Sequence, residues 1–106
     1  MTPAGEPAPI ACSLDGGTLA ERIDEWRELV ASSVVNVEAD ATSVRLELGD
    51  SEAALVAAAS LGQREKQCCA FFTVAIELGS DRRTLTLSVP DGAEEAMATF
   101  VALLTP

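Results

Sequence analysis

The chain contains no histidine and no tyrosine. Histidine-dependent acid–base catalysis and zinc sites of the Cys₂His₂ kind are therefore excluded. Long apolar runs are also missing. The longest, Ala53 to Ala59, falls far short of the roughly 18 residues that a membrane-spanning helix requires. Basic residues are few: 7 Lys and Arg stand against 17 Asp and Glu, for a net charge of −10. A field of that sign repels phosphate backbones, so no direct contact with nucleic acid is expected. The opening MTPAGEPAP has neither the basic nor the apolar region of a signal peptide, which makes the cytoplasm the expected compartment. No phosphate-binding glycine loop, internal repeat, helix-turn-helix or calcium-binding acidic loop is found.

What is present is a hydrophobic content of 48%, enough to exclude a disordered chain, in 106 residues, the length of one domain. We expect a flexible tail over residues 1–8 and a single α+β domain over 9–106. In PIACSL, Ile10, Cys12 and Leu14 alternate with Ala11 and Ser13, the mark of a short strand. After DGG, with Gly17 or Thr18 as cap and Glu21 in the first turn, Leu19, Ile23, Trp26 and Val30 recur at helical spacing. VVNVEADATSVRLELG predicts two strands joined near Ala39–Thr42, the second marked by Val44, Leu46 and Leu48. Asp50 or Ser51 caps a second helix that runs to about Cys68. Phe72, Val74, Ile76 and Leu78 then share one strand face, and Leu85, Leu87 and Val89 share another beyond the turn GSDR. A third helix places Ala93, Met97, Phe100 and Leu104 inward. The expected architecture is a two-layer α+β sandwich in the order β-α-β-β-α-β-β-α. Its sheet is mostly antiparallel, with helices on one face. The polar outer face is either solvated or paired with a second subunit.

The second helix contains one residue that breaks its pattern. At about 100° per residue, Ala54, Leu55, Ala58, Leu61 and Gly62 form the apolar stripe, and Glu65 falls among them. A charge there needs a partner, a proton or a ligand. An ion pair with Arg22 or Arg64 is one answer. A site is another: Cys69 lies one turn beyond Glu65 on the same stripe, Cys68 lies at its edge, and Cys12 faces inward on the first strand. Thiolates prefer Cu(I), Zn(II) and heavier thiophilic ions. Three sulfurs without histidine suit a trigonal Hg(II) or As(III) site. The competing reading is plain packing, since cysteine behaves as a small hydrophobe; a strained vicinal disulfide is a further alternative. Trp26 reads as core, with a lid over the site as the alternative.

Cys12, then Arg22-x-x-x-Trp26, then Glu65-x-x-Cys68-Cys69-x-Phe71 leading into a strand, is a pattern that resembles a family of small bacterial proteins. The similarity extends over roughly residues 9–104; members often carry proline where this chain has Ala70. The resemblance implies an association with heavy-metal resistance and with mercury-responsive regulators of the MerR type. The leading expectation is thus a cytoplasmic soft-metal or metalloid binding protein acting as sensor, chaperone or buffer. Cys12, Cys68 and Cys69 are its ligands, Glu65 a base or fourth ligand, and Arg22 and Trp26 supporting residues. A homodimer or a MerR-type regulator is the expected partner, and no membrane is involved. The alternatives are a non-catalytic dimeric interaction or effector domain with structural cysteines, and an enzyme. The enzyme would cleave carbon–mercury bonds with Glu65 as the acid, or carry out thiol redox chemistry without a C-x-x-C motif.

Overall fold

The computed structural model describes residues 16–104. The expected tail over 1–8 and the expected strand at Ile10–Leu14, with Cys12, lie outside the described residues. From Gly16 the order is α1 (Gly16–Ser33), β1 (Val34–Ala39), β2 (Ser43–Leu48), α2 (Glu52–Cys68), β3 (Thr73–Leu78), β4 (Arg83–Ser88) and α3 (Glu94–Leu104). The fold is α+β, with helices packed against a four-stranded antiparallel sheet of strand order β1-β2-β4-β3.

Alternation along the strands places the core. Val44 stands opposite Leu87, and Leu46 opposite Leu85, so the apolar faces of β2 and β4 coincide. All four residues are completely buried. Trp26 and Leu29 of α1, Ala58 and Leu61 of α2, and Met97, Phe100 and Leu104 of α3 close over them. Four aromatic rings join the layers. Trp26 meets Phe100 edge-on at 5.3 Å, Phe100 lies 5.4 Å from Phe72, and Phe72 lies 5.1 Å from Phe71. Such contacts add about 0.5–1.5 kcal/mol each beyond burial.

Three local features depart from the expected pattern. α1 begins at Gly16, ahead of the expected cap, so Glu21 lies past its first turn. β1 carries a bulge between Val34 and Asn36, which breaks its alternation and leaves Val35 exposed. Along the face that Phe72 opens just before β3, only the first half is covered: Phe72 is buried and Val74 half-buried, but Ile76 is 41% and Leu78 62% exposed. α2 meets this strand at Gly62, where a Cβ atom would stand 2.9 Å from Val74 Cγ1. The glycine is what allows the helix that close.

α2 is bounded as its sequence dictates. Ser51 caps it, its side chain accepting from the Ala54 amide at 3.0 Å. At the far end Cys69 is the C-cap, in extended conformation, its amide still bonded to the Glu65 carbonyl at 2.8 Å. α1 passes into β1 with no intervening residue, and the Gly49 amide donates to the Ser33 carbonyl at that junction at 2.7 Å. Among the described residues no helix is long and apolar enough to cross a membrane.

Candidate functional site

Helical geometry carries the stripe Ala54, Ala58, Leu61, Gly62 straight to Glu65, and all five are buried. Glu65 is 2% exposed, one of two buried polar residues among the described residues, the other being Thr84. Its charge is met from α1. Trp26 Nε1 donates to Glu65 Oε1 at 2.9 Å, and Arg22 Nη1 donates to the same oxygen at 3.3 Å. Arg22 and Trp26 are one turn apart on α1, so both reach one point on α2. Both donors converge on Oε1; among the described residues none donates to Oε2. The space between Arg22, Ile23, Trp26, Glu65, Phe100, Leu103 and Leu104 is only about 10 Å³. A single water requires roughly that much, so protein donors rather than a solvent pool satisfy the carboxylate.

Of the two arginines that sequence offers to Glu65, the structure selects Arg22. Arg64 turns outward to Glu25 at 2.9 Å. Glu25 also lies 4.0 Å from Arg22, so the charges alternate from Glu65 through Arg22 and Glu25 to Arg64. This chain ties α1 to α2 along their contact. Arg27 links α1 to the end of α3 by donating to the Leu103 carbonyl at 2.7 Å. Spacing alone gave no sign of that contact; its one signal is a cation able to reach carbonyls that a helix C-terminus leaves unsatisfied.

The helix end separates the two cysteines. Cys69 points inward and is completely buried, and Cys68 is half-buried at the stripe's edge. Their sulfurs lie 3.7 Å apart. A disulfide bond is about 2.05 Å long, so the vicinal disulfide is not formed. Two metal–sulfur bonds of about 2.3 Å at a tetrahedral angle place their sulfurs about 3.8 Å apart, close to the separation found. One carboxylate oxygen of Glu65 and both sulfurs all lie within 4.8 Å of one another, so Glu65, Cys68 and Cys69 could hold a metal ion. Cys69 is disulfide-bonded in this structure. As a metal ligand it must first be reduced to the thiolate.

The structure therefore brings together Arg22, Trp26, Glu65, Cys68 and Cys69. Cys12 lies outside the described residues. Trp26 is core by burial, as its sequence position suggests, and its indole is also a hydrogen-bond donor to Glu65, a role the sequence did not indicate. No protein-family model, curated protein or solved structure matches the chain.

Proposed function

We propose that the reduced chain binds a soft metal or metalloid ion of the Hg(II), As(III) or Cu(I) class. Cys68 and Cys69 are its thiolate ligands, Glu65 stands beside them, and Cys12 is a third sulfur donor. The observation that carries the proposal is the convergence of two sulfurs and a buried carboxylate within 4.8 Å. Packing accounts for a cysteine in a core, and Arg22 and Trp26 pair the Glu65 charge; what favours a ligand set is that this carboxylate stands beside two sulfurs. With Oε1 engaged by Arg22 and Trp26, the carboxylate is held in place and Oε2 is the atom available to a ligand or a thiol proton.

Thiolate ligands without imidazole favour soft ions over magnesium or calcium. A protein that sequesters such an ion would serve as a buffer, chaperone or sensor, and the E-x-x-C-C-x-F pattern agrees with a place among heavy-metal resistance systems. Signalling to DNA would pass through a separate partner such as a MerR-type regulator, because this chain repels the phosphate backbone.

The test is titration of reduced, oxygen-free protein with Hg(II), As(III), Cu(I) and Zn(II), followed by sulfur-to-metal charge-transfer absorption and native mass spectrometry. A tight one-to-one complex is expected with at least one soft ion. It should weaken in Cys68→Ser and Cys69→Ser and bind at a shifted pH in Glu65→Gln. No tight complex, or one unchanged in the Cys68→Ser/Cys69→Ser double variant, sinks the proposal.

A further inference from the structure

Three of the four large apolar side chains exposed among the described residues lie on one side of the fold: Val56 on α2, and Ile76 and Leu78 on β3. β3 is also an edge. It pairs with β4, and no described strand pairs with its other side. Unpaired edges are commonly blunted by charge, proline, a bulge or a covering segment. β1, the opposite edge, has a bulge and the pair Glu38–Arg45. β3 reads TVAIEL, regular in register, with Glu77 as its one charge. Beside it Ala59, Gly62, Gln63, Lys66, Val74 and Ile76 line a groove of about 400 Å³.

The helix wall of this groove complements itself. Glu52, Val56, Ala59, Gln63 and Lys66 follow one another at alternating steps of four and three, which sets them along one face of α2. All are exposed except Ala59, which is half-buried. Glu52 stands in the first turn and Lys66 in the last, equally far from Ala59 on either side. Among the described residues neither is in an ion pair. Against a second α2 running the opposite way about Ala59, Lys66 of each copy meets Glu52 of the other. The smallest side chain of the face sits at the crossing. A patch that matches itself under a two-fold axis is what an isologous dimer requires.

The strand gives the same axis. Ala59 and Ile76 line one groove, so an axis through Ala59 passes beside Ile76. Antiparallel pairing of β3 with its own copy about Ile76 sets Ile76 opposite Ile76, Val74 opposite Leu78, and Ala75 opposite Glu77. Apolar residues then meet on the helix-covered face, and the two Glu77 side chains stand opposite alanine instead of each other. The spacing is also consistent. A Cβ at Gly62 would meet both Val74 of β3 and Leu85 of β4, so α2 lies over the gap between these strands. Continuing the sheet at about 4.8 Å per strand sets the two α2 axes roughly 10 Å apart, at the packing distance of helices.

We propose that the chain forms a two-fold dimer in which the β3 edges of two copies pair into one continuous sheet and their α2 helices pack antiparallel about Ala59. The dimer covers Val56, Ile76 and Leu78. The polar face of the sheet stays outside the contact.

The test is sedimentation equilibrium of the full chain, reduced and free of metal, so neither disulfide-linked species nor metal binding enters the result. A monomer–dimer equilibrium is expected. Ile76→Asp sets two carboxylates opposite each other on the axis and should abolish the dimer. Val35→Asp, at an exposed position on the β1 edge, should leave it unchanged, with far-UV circular dichroism verifying the fold of both. Lys66→Glu turns two equivalent attractions into repulsions and should weaken the dimer about tenfold. Lys66→Glu/Glu52→Lys should return Kd to within about threefold of the original. These two variants change only an exposed helix face, and they decide the matter even if Ile76→Asp does not fold. In hydrogen exchange, β3 amides should gain protection as concentration rises, and β1 amides should not. A wild-type chain that stays monomeric at every concentration overturns the proposal. So does a dimer unaffected by Ile76→Asp, or one lost equally with Val35→Asp. A charge swap that restores nothing overturns the α2 contact.

Discussion

Trp26 Nε1 lies 2.9 Å from Glu65 Oε1, joining residues 39 positions apart across the α1–α2 contact. The indole is thereby both part of the aromatic stack and a donor to the buried carboxylate. Because Arg22 reaches the same oxygen, Glu65 is a shared acceptor, and each donor limits the cost of losing the other.

Removing one partner of a buried ion pair leaves the other uncompensated, at about 3–5 kcal/mol. Arg22 keeps 11% exposure and Trp26 still donates after its loss, so Arg22→Met should fall at the low end, about 3 kcal/mol. The Arg22→Met/Glu65→Met double variant should recover most of that stability. Urea unfolding of the single and double variants checks this, with m unchanged as the sign of a pure stability effect.

At Gly62 two effects oppose each other. Alanine in a helix interior is better than glycine by about 1 kcal/mol. The added methyl would stand 2.9 Å from Val74 Cγ1 and 3.5 Å from Leu85 Cδ1. Overpacking of this kind costs about 1–3 kcal/mol, so Gly62→Ala should destabilise. Shortening the neighbour reverses the sign: in a Val74→Ala background, Gly62→Ala should be neutral or stabilising. Thermal unfolding of the four proteins in that cycle decides it.

Asp40 holds the β1–β2 turn, its Oδ1 accepting from the Thr42 amide at 2.9 Å, the Ser43 amide at 2.9 Å and the Ser43 hydroxyl at 3.1 Å. These donors, the Thr42 amide foremost, lower its pKa below the ordinary value of 3.8. A depressed folded value means stability that is fully present above about pH 4 and lost as pH falls through the folded pKa. Carboxyl NMR titration should place Asp40 below the ordinary aspartate value of 3.8. Asp40→Ala should remove part of the acid sensitivity measured by urea unfolding between about pH 2 and 5.

Ligand binding to the folded state alone stabilises by about 2.7 kcal/mol at a free concentration of 100 Kd. Reduced protein with a soft ion should therefore melt several degrees higher than without it, and a dithiol chelator should reverse the gain. The disulfide form, with Cys69 consumed, should show a much smaller shift. Parallel melts of the two redox forms check this.

Much of the fold was legible because period-2 and period-3.6 patterns leave little choice: Val44, Leu46 and Leu48 could face only a core, and of the two expected caps, Asp50 and Ser51, the structure uses Ser51. Glu65 was legible as a site residue for the complementary reason, since it violates the stripe that Ala54, Ala58 and Leu61 define. What the pattern did not carry was partner choice. Arg22 and Arg64 both had the charge and reach, and the rotation of α1 against α2 decided between them. The exposed end of β3 was equally hidden, because alternation specifies which side chains share a face but not how far a helix extends along it. The bulge in β1 depends on pairing with β2, not on its own residues.

The direct passage of α1 into β1 has a consequence for how the chain can change in length. With no linker between Ser33 and Val34, an inserted or deleted residue there must either rotate the helix by about 100° or shift the strand by one place, which exchanges its two faces. Either change displaces Trp26 from Glu65 or Val37 from the core. The turns at Ala39–Thr42 and Gly79–Arg82 have no such constraint, so variation in length should concentrate at the hairpins and be selected against at this junction.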